Sequence, residues 1–212
     1  KEKGNRSQQY VWQINKKILS KIDYLIDMHT ASFGRINSLY VRADMNNDAI
    51  KQMALLQDAD ILLKSKGPSA GVATSSTRTL RAEASLQGVP TITVEYGNPQ
   101  VFQPEMIRRG VNGLKHVLNW LNMQEFELTK TNSAEVCEKS YWIYLDQGGV
   151  LEVPVALNQI VDRGETIGIL RNPFGDILKT YTAPERGIII GKSTNPVNMS
   201  GGRIIHLGIL EK

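Results

Sequence analysis

The chain has 212 residues, 41% hydrophobic and 22% charged, which is enough apolar content for one large domain or two small ones. Its net charge of +4 is spread out, with no run of five basic residues and no interleaved aromatic stripe, so a nucleic-acid surface is not expected. No apolar run approaches the ~20 residues of a membrane span, and the single cysteine, Cys137, excludes an internal disulfide and suits a reducing, cytoplasmic compartment.

The opening KEKGNRSQQY is polar, has no signal-peptide core and lacks an initiating methionine, so we expect that something has been cut away before it. Ser7 can cap a helix whose apolar residues Val11, Ile14, Ile18 and Ile22 recur at helical spacing. Tyr24 to Met28 then reads as a short buried strand, and SLYVR (38–42) as another. Asn46 or Asn47 caps a helix to about Gln57, followed at once by the strand ADILLKS. KGPSAGVATSST is a loop long enough to suggest function. A helix from about Ser76 to Gln87 stops at Gly88, and VPTITVEYG is a β-branched strand. Pro99 opens a helix with Ile107, Val111, Leu114, Leu118 and Leu121 on one face. Strands alternating with helices predict an α/β layer with largely parallel strands.

Beyond Asn122 the composition changes. MQEFELTKTNSAEVCEKS holds no convincing helix and is expected to be a linker or edge strand. From Tyr141 onward, glycine and proline punctuate short β-rich runs, which predicts a small all-β domain. The division is therefore 1–124 for the α/β part and 125–212 for the linker and β domain.

Two strand ends carry candidate chemistry. In open α/β sheets ligands bind at the carboxyl ends of strands, where His29 is expected. Asp27, two residues earlier, shares its face and can orient the imidazole towards a metal. A partly buried histidine satisfied by a backbone carbonyl is the plainer alternative. Glu95 ends the strand that carries Val89, Ile92 and Val94. A carboxylate there is costly unless paired, metal-bound or working, the plain alternative being an ion pair with Arg78 or Arg81. A metal beside a carboxylate is a common hydrolytic arrangement. His116 is expected at the surface or in packing, and His206 as a strand residue of the β domain.

In this order, YLIDMHTASFGRINSLYVRAD, TLRAEASLQGVPTITVEYG and GGVLEVPVALNQIVDRGETIGILRNPFGD resemble the succinylglutamate desuccinylase/aspartoacylase family, relatives of the zinc carboxypeptidases. The resemblance implies a zinc-carboxypeptidase-like mixed sheet with flanking helices, present in part. It implies a zinc-dependent hydrolase of an N-acyl amino acid or similar small acid, with His29 as the third zinc ligand and Glu95 as general acid/base. Arg42 becomes a candidate for binding a substrate carboxylate. The family's first two zinc ligands and its Asn–Arg substrate motif have no counterpart here, so the chain resembles the C-terminal part of the enzyme, requiring a missing N-terminal half.

The β region has the glycine-and-proline rhythm of barrel-sandwich carrier domains. Its hairpin RNPFGD lacks the lysine that a carrier displays, so a cover or rim for the active site is expected instead. The competing readings are a non-catalytic binding or assembly module, possible as a homo-oligomer, and a carboxypeptidase acting on peptides.

Overall fold

Asn5, rather than Ser7, caps the first helix. Its side chain accepts from the Gln8 backbone N–H, and Gln8 reciprocates at the Asn5 backbone. The computed structural model describes residues 2–65, 79–129, 131 and 133–211. Its helices are α1 (Arg6–Lys17), α2 (Asp48–Leu55), α3 (Leu80–Leu86) and α4 (Pro104–Trp120). The first six strands are β1 (Leu25–His29), β2 (Arg35–Asn37), β3 (Leu39–Ala43), β4 (Ile61–Lys64), β5 (Thr91–Tyr96) and β6 (Glu135–Tyr144). The remaining strands are β7 (Gly149–Glu152), β8 (Ile160–Val161), β9 (Thr166–Arg171), β10 (Ile177–Thr182), β11 (Gly187–Ser193), β12 (Val197–Asn198) and β13 (Arg203–Leu210). The expected loop KGPSAGVATSST and the start of the helix expected at Ser76 lie outside the described residues.

A mixed α/β architecture results. One nine-stranded sheet runs β1-β5-β3-β4-β6-β13-β11-β2, with β8 attached to β11, and a four-stranded sheet runs β10-β9-β7-β12. In the α/β half, β1 is parallel to β5, and β4 is parallel to both β3 and β6, while β3 runs antiparallel to β5. The expected linker or edge strand differs most. Its second half is β6, an interior strand that pairs with β4 on one side and antiparallel β13 on the other. Polarity hid it because exposed Glu135, Glu138 and Lys139 alternate with buried Cys137 and half-buried Val136. The sheet thus passes across residues 124/125. Tyr40, Ile61 and Leu63 from one half pack with Cys137, Ile188 and Ile190 from the other.

A second core lies between the two sheets, where Ile167, Leu170, Ile189, Ile204, Ile205 and Leu207 are buried. A third, under α2, gathers Leu39, Val41, Met53, Leu62, Ile92 and Val94. Both follow from β-branched and leucine-rich strands burying apolar area, about 25 cal/mol per Å².

Helix α4 corrects the sequence reading twice. It starts at Pro104, not Pro99. The Gln103 side chain binds the Asn98 N–H and the Asn98 and Tyr96 carbonyls, holding residues 98–103 as a loop after Gly97. The buried side is also not the bulky one. Gly110, Gly113 and Val117 face inward, and a Cβ at Gly110 would stand 3.0 Å from the Tyr96 ring. Small residues let the helix approach the sheet closely, leaving Ile107 and Val111 each 45% exposed. No described helix is long and apolar enough to cross a membrane.

Candidate active site

Register between strands brings the site together. In the parallel β1–β5 pair, His29 is the partner of Glu95 and Asp27 that of Thr93. On the other side of β5, Tyr40 faces Glu95 and Arg42 faces Thr93. Partnered residues project to the same face of a sheet. His29, Glu95 and Tyr40 therefore form one row, and Asp27, Thr93 and Arg42 the next.

Asp27 Oδ1 lies 3.1 Å from His29 Nε2, and the histidine side chain is 49% exposed against 17% for the aspartate. The carboxylate thus holds one ring nitrogen from below and leaves the other for a ligand. Glu95 is half-buried and accepts a long hydrogen bond of 3.4 Å from Asn37 Nδ2. Burial pushes its carboxyl above the ordinary glutamate range, while Arg42, His29, the Asn37 bond and Arg35 pull the other way. Neither ion pair considered for Glu95 is present among the described residues. Arg81 turns away to the Ser65 carbonyl and hydroxyl, and Arg78 lies outside the described residues.

These residues line a polar cavity of about 370 Å³, walled by His29, Arg35, Tyr40, Arg42, Trp142 and Arg203, with Glu95 and Asn37 also at its surface. Arg42 donates to the Tyr40 hydroxyl at 2.8 Å, but its buried Nε has no partner. Asn37 Oδ1 is likewise buried and unpaired. Unpaired buried polar atoms are costly, and Asn37 Oδ1 is turned towards Gly191 of β11.

Part of the wall comes from the β half, where a rim is expected, through Trp142 and Arg203. Trp142 stacks on His206 with ring centroids 4.9 Å apart, and His206 Nε2 lies 2.7 Å from Ser140 Oγ. The same indole has the Arg203 guanidinium 4.8 Å and that of Arg35 5.6 Å from its ring centre. His206 is a strand residue, as expected, but also the support of a cavity wall. His116 is buried in packing on α4. Asn37, Tyr40, Trp142 and Arg203 were missed. A tryptophan inside YWIYL and an arginine at the head of RIIHLGIL carry no local sign that they meet.

Residues 2–121 match the family model for the succinylglutamate desuccinylase/aspartoacylase catalytic domain. The chain belongs to this family. No match was found among the curated proteins. Among solved structures, the chain is similar to the product-bound ectoine utilization protein EutE (DoeB) from Ruegeria pomeroyi, with a TM-score of 0.85 at 15% identity. That similarity covers 99% of this chain and 65% of the other. A succinylglutamate desuccinylase from Silicibacter sp. TM1040 gives 0.84 at 16% identity, covering 100% and 65%. An aspartoacylase family protein from Mesorhizobium loti gives 0.75 at 13%, covering 97% and 69%. At such identities these structures establish the shared fold, and the chain spans 65% of the length of the first two.

Among the described residues, no group of three or more His, Cys, Asp or Glu side chains is placed to hold a metal. A catalytic zinc ordinarily has three protein ligands. His29, exposed and oriented by Asp27, fits one such position; the described residues do not furnish the others.

Proposed function

We propose that the protein is a zinc-dependent deacylase that cleaves the amide bond of an N-acyl amino acid or similar small acid. In this reading His29 is one zinc ligand, Asp27 orients it, Glu95 is the general acid/base and Arg42 binds a substrate carboxylate. The observation that carries it is the register of β1 and β5, which sets His29 beside Glu95 at the carboxyl ends of two parallel strands, over a cavity containing Arg42.

Zinc, when bound, polarises the amide carbonyl and acidifies water. The chain's own residues do the rest. Glu95, with its proton affinity raised by burial, accepts a proton from the attacking water and returns it to the leaving nitrogen. Arg42 presents in-plane N–H donors that suit a carboxylate, which fixes the acid with its amide towards Glu95.

The remaining zinc ligands are proposed to come from a part of the same domain outside this chain. Strand β1 lies at the sheet edge. Beside it an apolar groove is lined by Met28, Val101, Phe102, Ile107, Val111 and Leu114. An open edge and an uncovered apolar groove adjoining His29 support further chain packing there. The β half is proposed as a barrel-sandwich-like rim. The β9–β10 hairpin displays Phe174, 90% exposed, and no lysine, so no carrier role is assigned to it. The protein is proposed to be cytoplasmic; its single cysteine, Cys137, is buried as a free thiol, which burial pushes up to about 12.

The test is Glu95→Gln in the complete natural protein. It should retain zinc and lose at least ~10²-fold in turnover, the contribution of a positioned general base. Near-normal turnover would remove Glu95 from this role.

A further inference from the structure

Strands of the mixed sheet finish at both of its ends. Strands β1 and β5 carry His29 and Glu95 at one end. Strands β3 and β4 are parallel to each other, and β3 is antiparallel to β5, so this pair finishes at the other end. Open α/β sheets bind ligands where strands finish. Asp44 and Ser65 directly follow β3 and β4, and with Arg81 of α3 they line a separate cavity of about 350 Å³. That falls within the ~300–1,000 Å³ usual for small-molecule sites. Thr91, where β5 begins, also lines it, which puts the cavity at the far end of β5 from Glu95.

The two charges of this cavity do not pair. Arg81 is half-buried and donates to the Ser65 carbonyl and hydroxyl, and among the described residues no carboxylate forms an ion pair with it. A guanidinium has five donors, so part of its fork stays free. Asp44 is also half-buried, and the Asn46 backbone and side-chain N–H groups both donate to its Oδ1, leaving Oδ2 open. Its charge nevertheless acts on Arg81 through space, so the two stand near each other. Ile50, Leu86, Val89 and Pro90 make the rest of the wall largely apolar. A cation and an anion that line one cavity without touching are the complement of a zwitterion.

We propose that this cavity is a second ligand site, which binds a free α-amino acid with an apolar side chain. The carboxylate sits on the Arg81 fork, the ammonium on Asp44, and the side chain against Leu86 and Val89. An acylated nitrogen carries no charge for Asp44, so the site separates a free amino acid from its N-acyl form. On the deacylase reading, on which this clause alone rests, the ligand is the product of the reaction. Arg81, on which Asp27 acts through space, then links the cavity to the carboxylate that orients His29.

Isothermal titration of the 212-residue chain with L-valine, N-acetyl-L-valine and L-valinamide tests the two charges separately. L-valine should bind at least ~10-fold more tightly than either derivative, because each lacks one charge-assisted contact. Asp44→Asn keeps the acceptor that Asn46 uses and should abolish the preference over N-acetyl-L-valine, with an unchanged melting temperature. Arg81→Gln should abolish the preference over L-valinamide; if it unfolds the chain, Asp44→Asn decides. Arg35→Gln, in the catalytic cavity, should leave L-valine binding unchanged. Failure of L-valine to bind, equal binding of N-acetyl-L-valine, a preference that survives Asp44→Asn, or loss of binding in Arg35→Gln overturns the proposal. The deacylase reading fails separately, if the complete protein cleaves no N-acyl amino acid. L-valine binding that depends on Asp44 would then still stand as an amino-acid site.

Discussion

Acid should destabilise this protein through His206. The residue is 2% exposed, and burial, assisted by the Arg42 charge, brings its imidazole down to about 3 from an ordinary 6.5. Its Nδ1 is buried without a partner, so a proton there has nothing to bind. Because the folded value is the lower one, the unfolded chain binds a proton that the folded chain refuses between about pH 6.5 and pH 3. Stability therefore falls as the pH drops through that window, and the effect is absent above it. Each unit of difference corresponds to about 1.4 kcal/mol. From pH 7 to pH 5 the linkage amounts to roughly 2 kcal/mol, and it approaches ~5 kcal/mol near pH 3.

His206→Gln removes the titration while keeping a polar group near Ser140. Urea unfolding of both proteins at the two pH values isolates the term, since every other titrating group is common to both. With slopes of about 2 kcal/mol/M, the wild-type midpoint should fall by about 1 M more than that of the variant. Parallel losses would refute the claim that His206 is held neutral beneath Trp142.

The single imidazole of His29 should bind zinc no more tightly than a lone surface histidine in this chain, because affinity comes from several ligands held together. Isothermal titration checks this, and a stoichiometric sub-micromolar site lost in His29→Ala would oblige a search for ligands among the other described residues. Gly208→Ala should lower stability by about 1–3 kcal/mol, as overpacking does. Its Cβ would stand 2.7 Å from Cys137 Sγ and 2.8 Å from Ile190 Cδ1, where the two halves meet. Calorimetry should show a melting temperature lower by several degrees, about 2–4 °C per kcal/mol at this size. Asn47→Ala should cost about 1 kcal/mol, since its side chain accepts from the Ile50 N–H and caps α2, a loss readable by chemical denaturation.

Local pattern sufficed to place β1, β3, β4, β5 and the helices between them, because burial of one face and capping are properties of neighbouring residues. It also located His29, Asp27 and Glu95, since a polar side chain at the end of an apolar strand is visible without knowing the strand's partner. Which residues meet was decided by pairing across the chain. Trp142 lies in the β-rich run expected from Tyr141 onward, but it reaches His206, Arg203 and Arg35 only because β6, extending back through the polar residues to Glu135, lies between β4 and β13. The inward side of α4 was likewise invisible. Hydrophobic periodicity points to Ile107 and Val111, but close approach to Tyr96 requires Gly110 and close approach to Gln57 requires Gly113, a constraint set by the space between helix and sheet. Sequence periodicity marks the apolar side of an element; only the assembled sheet and its register determine which side is covered and what stands across from it.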